Sequence, residues 1–292
     1  MRPSPASRTA TFIALARALE TTEPRRTPLF QDPYARRFLD GIFAIAAAAA
    51  ARRVLRPLTL AAIDRRAPGA RTSAVGRTRF IDDAVRDAVS NGATDVVILG
   101  AGFDCRAHRL PILRSQRVFE VDRAETQRKK RKQLGAAPGL ADVIYVEVDF
   151  NVDAVLDRLM AAGLSPSHQS VFIWEGVTSY LNASAVANVL AMVATCAKGT
   201  RLIFTYIHRG AVDGTVPFEG AAKLRAEVAR LGEPWTFGFL PCELPGILAA
   251  HGLRLLEDIG ANDYRERYGA SLGSSGYGFY RVAIAEVGVT AC

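Results

Sequence analysis

The run Asp95-Val96-Val97-Ile98-Leu99-Gly100-Ala101-Gly102 constrains this chain more than any other stretch. A short continuous block of branched apolar residues closed by glycines reads as a strand buried on both faces, the kind found in a parallel sheet. Glycine at the strand end lets the chain turn sharply and lets backbone approach a ligand without a Cβ in the way. Twenty residues past Gly102, at the end of a second strand run, stands Asp122. A carboxylate there is placed to accept hydrogen bonds from ribose hydroxyls. A lone Gly-x-Gly is equally a tight turn, so its weight comes from lying between a strand and a helical segment with the acid at the right distance. Cys105 stands where the dinucleotide fingerprint needs its last glycine. The loop therefore suits a nucleoside with no pyrophosphate, such as S-adenosylmethionine (SAM), better than NAD.

From residue 94 onward, short β-branched runs alternate with helical stretches, the signature of a doubly wound sheet. Strands are expected at 95–99, 117–122, 143–148, 170–174 and 200–206, with helices near 123–135, 151–162 and 183–197. Val186, Val189, Leu190 and Val193 form the apolar stripe of the last of these. Helices near 217–231 and 242–251 then precede two closing strands, 253–258 and 277–286, expected to pair antiparallel at the sheet edge. Residues 1–90 read as mostly helical, clearest at 10–20 and 82–90, and are broken by Pro24, Pro28, Pro33, Pro57 and Pro68. The expectation is an α/β, Rossmann-like fold: a mainly parallel seven-stranded doubly wound sheet with a C-terminal antiparallel strand. An N-terminal helical lid (1–90) would precede the cofactor-binding domain (91–292).

The 292 residues are 49% apolar and 23% charged, a composition that supports a sizeable core. A net charge of +8 biases association without naming a partner. Much of the excess sits between Arg123 and Lys132, a run that suits the solvated face of a helix and carries no interleaved aromatic platform for bases, so nucleic acid is not expected. Four dispersed cysteines with no CxxC pair argue against a zinc site or a disulfide framework and fit a reducing cytoplasm. The longest apolar run, 41–51, is about half of what spans a bilayer and reads as an Ala-rich helix packed on the domain. Met1-Arg2-Pro3-Ser4-Pro5 lacks the order of a secretory signal. Neither a membrane nor a metal is expected.

With these residues in place, the chain resembles the leucine carboxyl methyltransferase family, in particular its bacterial SAM-dependent O-methyltransferases. The resemblance rests on Ser7-Arg8-Thr9-Ala10, Asp32-Pro33-Tyr34-Ala35, Arg77-Thr78-Arg79-Phe80-Ile81-Asp82, Gly100 to Arg106, Phe119-Glu120-Val121-Asp122, Val148-Asp149-Phe150 and Glu175-Gly176-Val177. It implies that Arg77, with Arg8 in a similar role, binds the methionine carboxylate of SAM through charge-assisted hydrogen bonds. It implies that Gly100, Ala101 and Gly102 cradle the cofactor and that Asp122 holds the ribose. Asp149 and Phe150 would meet the adenine, and Glu175 the ammonium group. Read without the family, Glu175 is an ordinary helix-capping acid. Asp104 is as readily a cofactor contact as an ion-pair partner that shapes the loop, and Arg106 is better read as that pair's other half. Cys105 replaces the threonine common in relatives.

A sulfonium methyl is already activated, so transfer needs chiefly an in-line nucleophile held close to it. An acceptor carboxylate is ionised near neutral pH and requires no base. A phenol would benefit from one, and His208, just past the fifth strand, is the candidate, with a loop histidine as the plainer reading. Tyr180 and Tyr206, near strand ends, either line the acceptor site or pack in the core. The resemblance favours a small acidic or aromatic acceptor, such as a polyketide or another secondary metabolite. A protein C-terminal carboxylate and a non-catalytic SAM-binding role are the alternatives.

Overall fold

The computed structural model describes residues 5–24, 26–135, 140–150, 152–269, 272 and 276–288, with the side chains of 5–8 outside that description. Four helices come first: α1 (Pro5–Thr21), α2 (Gly41–Ala50), α3 (Arg56–Arg66) and α4 (Ala70–Ser90). The alternating part follows as β1 (Asp95–Leu99), α5 (Arg106–Arg109), β2 (Arg117–Asp122), α6 (Ala124–Leu134), β3 (Asp142–Glu147), α7 (Val155–Ala161), β4 (Ser170–Trp174), α8 (Ala183–Ala194) and β5 (Arg201–Ile207). The chain then runs through α9 (Arg209–Asp213), α10 (Ala221–Arg230), α11 (Leu244–Ala250), β6 (Leu253–Ile259), α12 (Ala261–Tyr268) and β7 (Tyr280–Val287).

The seven strands form one sheet in the order β3-β2-β1-β4-β5-β7-β6. β1 to β5 are mutually parallel, and β7 runs antiparallel to both β5 and β6. The expected closing antiparallel pair therefore forms at this edge of the sheet, with β6 outermost and β7 inserted between β5 and β6.

Side chains alternate across the sheet and feed two cores. On one face Val97, Leu99, Phe119, Phe172, Trp174 and Phe204 pack against α8, whose buried stripe is Val186, Val189, Leu190 and Val193. Asn182 caps that helix by accepting from the Ala185 N–H at 2.8 Å. On the other face Val96, Ile98, Val118, Val171 and Ile173 meet Phe80, Ile81 and Val85 of α4, together with Ala16 of α1 and Tyr264 of α12. Residues on both sides of position 90 thus share one core, and α4 is a layer of the sheet domain. It is also longer than the expected 82–90 segment. Gly76 permits its contact with α12: a Cβ there would lie 2.8 Å from the Tyr264 ring.

Central burial extends to polar groups. Asp95 opens β1 fully buried, and Arg117 satisfies it with two hydrogen bonds of 2.8 Å. α2 does not pack as fully as expected, since Ile42 and Ile45 remain 67% and 65% exposed. Among the described residues no helix is long and apolar enough to cross a membrane.

Candidate active site

The strand order reverses between β1 and β4, and a doubly wound sheet opens a crevice at the carboxyl ends of the strands there. Gly100 leaves β1 with φ +69°, and the Gly100 and Ala101 amides donate to the Val121 carbonyl at 2.8 and 3.0 Å. A Cβ on Gly100 would meet Val177 Cγ2 at 2.4 Å, so the loop from β1 and the loop from β4 touch at this glycine. Asp122 accepts from the Gly102 amide at 2.6 Å and from the Arg123 amide at 2.7 Å, one bond to each oxygen. The Thr126 side chain adds a third hydrogen bond, which leaves the carboxylate room for a further donor. Burial raises the Asp122 carboxyl above its ordinary value despite these two amide bonds.

Beneath the loop lies a buried ion network. Arg77 donates through Nε to Glu175 at 2.7 Å and stacks its guanidinium on the Tyr280 ring at 4.4 Å. Arg106 reaches the other Glu175 oxygen at 2.9 Å, Asp82 at 2.8 Å, and Asp104. Arg109 grips both oxygens of Asp82, and Arg17 pairs with Asp32 at 2.8 Å while donating to the Phe103 carbonyl. Four arginines and four carboxylates therefore balance within the described residues. Burial by itself would push Glu175 up, but Arg106 and Arg77 outweigh it and hold the carboxyl below its ordinary value. The same contest, won by Arg106, Lys130 and Arg17, lowers Asp104 to about 2.

A cleft of about 1890 Å³ opens over this floor. Gly100, Ala101, Gly102, Asp104, Asp122, Asp149, Phe150, Glu175 and Arg77 all line it, so the expected cofactor residues are brought together. Arg8 lies on α1, with its side chain outside the described residues. The Asp104 oxygens are engaged by the Arg106 amide and guanidinium, one bond to each, while the residue also lines the cleft. Arg77 has no acceptor for its two Nη groups among the described residues, so they can meet a ligand carboxylate. Two positive-φ glycines, a carboxylate with room for a further donor at the end of β2 and a cation beside Glu175 fit the nucleoside and the amino-acid end of SAM.

Of the three expected catalytic residues, only Tyr180 lines the cleft. Tyr206 is 1% exposed, its side chain lies on the core face of β5, and its hydroxyl donates to Asp258 at 2.7 Å. His208 caps α9, its Nδ1 accepting from the Gly210 amide at 3.0 Å, and its ring packs on Phe218. Burial and the nearby Arg281 and Arg209 lower its pKa. The core-facing register of β5 corrects the first expectation and the capping of α9 the second.

Arg17, Asp32, Asp82 and Arg109 join the frame without a strand-end or glycine-loop position to mark them. Asp32 and Asp82 each sit in a family-like block, which was the available signal. Glu233 and Trp235, which no motif marks, also line the cleft.

A family model described as leucine carboxyl methyltransferase matches residues 10–194. A Frankia alni protein named as an S-adenosyl-L-methionine-dependent methyltransferase is 38% identical over 216 residues, 73% of each chain. A Streptomyces coelicolor protein of the same designation is 33% identical over 260 residues, covering 86% of this chain and 84% of its own. Among solved structures, a Thermobifida fusca protein described as a methyltransferase superposes with TM-score 0.59 at 16% identity over 94% of each chain. A DUF574 family protein of Streptomyces avermitilis gives TM-score 0.57 at 15% identity, covering 93% of this chain and 96% of that one. Sheet order, switch-point loop and relatives together define a SAM-dependent methyltransferase of the Rossmann-like class. The chain belongs to the leucine carboxyl methyltransferase family.

Proposed function

We propose that the protein is an O-methyltransferase acting on a carboxylate or phenolic hydroxyl of a small molecule, such as a secondary metabolite, in the cytoplasm. The observation that carries this reading is the second half of the cleft. Phe12, Tyr180, Trp235, Tyr277 and Tyr280 line it beside the Arg77–Glu175 pair, giving an apolar wall suited to a ring-bearing acceptor.

In this reading Arg77 holds the cofactor's carboxylate, Glu175 its ammonium, Asp122 the ribose hydroxyls, and Asp149 with Phe150 the adenine. Bound SAM supplies the electrophilic methyl group. The protein's own work is to orient the acceptor oxygen and exclude water, which can account for much of the rate. Tyr180 is fixed for that role by hydrogen bonds with Trp235 and Thr9.

The test is mass spectrometry of acids and phenols incubated with enzyme and SAM carrying a labelled methyl. A labelled ester or aryl ether is expected, and product methylated only at nitrogen or carbon refutes the reading. Calorimetry with S-adenosylhomocysteine checks the cofactor half, where Arg77→Ala is expected to bind at least tenfold more weakly.

A further inference from the structure

Four acidic side chains that line the cleft, Asp40, Glu125, Glu227 and Glu233, make no hydrogen bond or ion pair among the described residues, and of these only Glu233, which follows α10, is half-buried. Its backbone is fixed: the Glu233 amide donates to the Val228 carbonyl at 2.9 Å. Three residues on, the Thr236 amide donates to the Ser179 carbonyl at 2.8 Å and its hydroxyl to the Leu181 carbonyl at 2.9 Å. The segment carrying Glu233 is thereby stapled to the chain leaving β4, the strand that ends in Trp174 before Glu175.

Tyr180 and Tyr280 line the same cleft, and Tyr280 carries the guanidinium of Arg77 on its ring. From the cofactor side Arg123, next to Asp122, is the cation that acts on Glu233. Glu227, on α10, acts on Tyr277 instead. Lys223, also on the cleft, donates its ammonium to the Arg66 carbonyl. Burial, opposed by Arg123, raises the Glu233 carboxyl above its ordinary value, which makes it a stronger base than an exposed glutamate.

We propose that Glu233 receives the acceptor's hydroxyl and takes its proton, so that this site selects phenolic or enolic hydroxyls over carboxylates. The inference rests on the oxygen-transfer reading above and narrows it. As the acceptor oxygen forms its bond to the methyl carbon, the carbon–sulfur bond breaks and its electron pair stays on sulfur. The hydroxyl proton passes to a Glu233 Oε and then to solvent, leaving an ether and a thioether. An ionised carboxylic acid has no proton to give and would face Glu233 as a like charge.

The experiment compares wild type, Glu233→Gln and Glu233→Asp on matched phenols and benzoates, with 4-nitrophenol binding in the presence of S-adenosylhomocysteine as a readout free of turnover. Glu233→Gln is expected to lower kcat on phenols by roughly 10²–10⁴-fold and to abolish the acid limb of the pH profile. Its affinity for S-adenosylhomocysteine stays within twofold, and Glu233→Asp recovers part of the rate. Wild type should bind neutral 4-nitrophenol in preference to the phenolate, and Glu233→Gln should lose that preference. Phenol turnover within threefold of wild type in Glu233→Gln, an unchanged pH profile, or failure of every phenol to bind overturns the inference. Methylation of benzoates but not phenols also overturns it, while leaving oxygen transfer standing. Products methylated only at nitrogen or carbon remove both.

Discussion

Gly100→Ala tests whether the contact between the loops that leave β1 and β4 is as close as the geometry requires. Two separable costs arise. The alanine must hold φ near +69°, a left-handed conformation costing about 1–2 kcal/mol for a residue with a Cβ. Its Cβ would also lie 2.4 Å from Val177 Cγ2, whereas the Val177 Cβ is 3.6 Å away and in ordinary contact. Forcing an extra methyl into such a space costs about 1–3 kcal/mol, so the single variant should lose roughly 2–5 kcal/mol of stability. Val177→Ala deletes the clashing methyl and leaves the backbone strain untouched. In that background Gly100→Ala should cost only about 1–2 kcal/mol, a favourable coupling of about 1–3 kcal/mol across the double-mutant cycle. Urea denaturation of the four proteins measures it. Additive effects, with coupling below about 0.5 kcal/mol, would refute the claim that these loops meet at the glycine.

Three further perturbations follow from the same geometry. Asp82→Ala takes from Arg109 both of its close carboxylate bonds and from Arg106 one of three partners, and is expected to cost about 3–5 kcal/mol in urea denaturation; a loss under 1 kcal/mol would mean that Asp32, Asp104 and Glu175 suffice for both arginines. Asp104, lowered to about 2 in the fold, contributes stability that is fully present above its ordinary value near 3.8 and is lost as pH falls toward 2. That contribution is about 2 kcal/mol, so Asp104→Asn should flatten the stability curve between pH 4 and 2, as followed by urea midpoints. His208→Ala removes the cap of α9 and should cost about 0.5–2 kcal/mol while turnover stays within twofold, and a hundredfold loss of turnover would return the histidine to the chemistry.

Much of the frame could be read from residue order because its signals are local. β1, β2 and β4 are short apolar runs flanked by turn residues, and the α8 stripe repeats at helical spacing, so their bounds match closely. α12 was missed because Ala261–Tyr268 is short and polar. The Gly260 amide donating to Asp263 and the fit of Tyr264 over Gly76 hold it, and the second of these is a long-range contact. The ion network was illegible for the same reason: its members run from Arg17 to Glu175 and meet only once α1, α4 and α5 converge. Tyr206 and His208 mislead differently. Lying near a strand's end suggests the cleft, but the pleat decides which face a side chain takes, and pairing with β7 turns the chain at His208 toward α9.

The placement of β7 between β5 and β6 also sets an order of events at the ribosome. β5 pairs with β7 from Arg201↔Glu286 to Ile207↔Tyr280, and β6 pairs on its other side. Until Val287 has been synthesised, β5 has an open edge and β6 has no ladder to join. At translation rates of about 5–20 residues per second, the 80 residues from Ile207 to Val287 keep the β5 edge unpaired for roughly 4–16 seconds. The strand that closes the sheet also brings Tyr280 under Arg77. A nascent chain therefore cannot complete the Arg77–Tyr280 stack before it has completed its sheet.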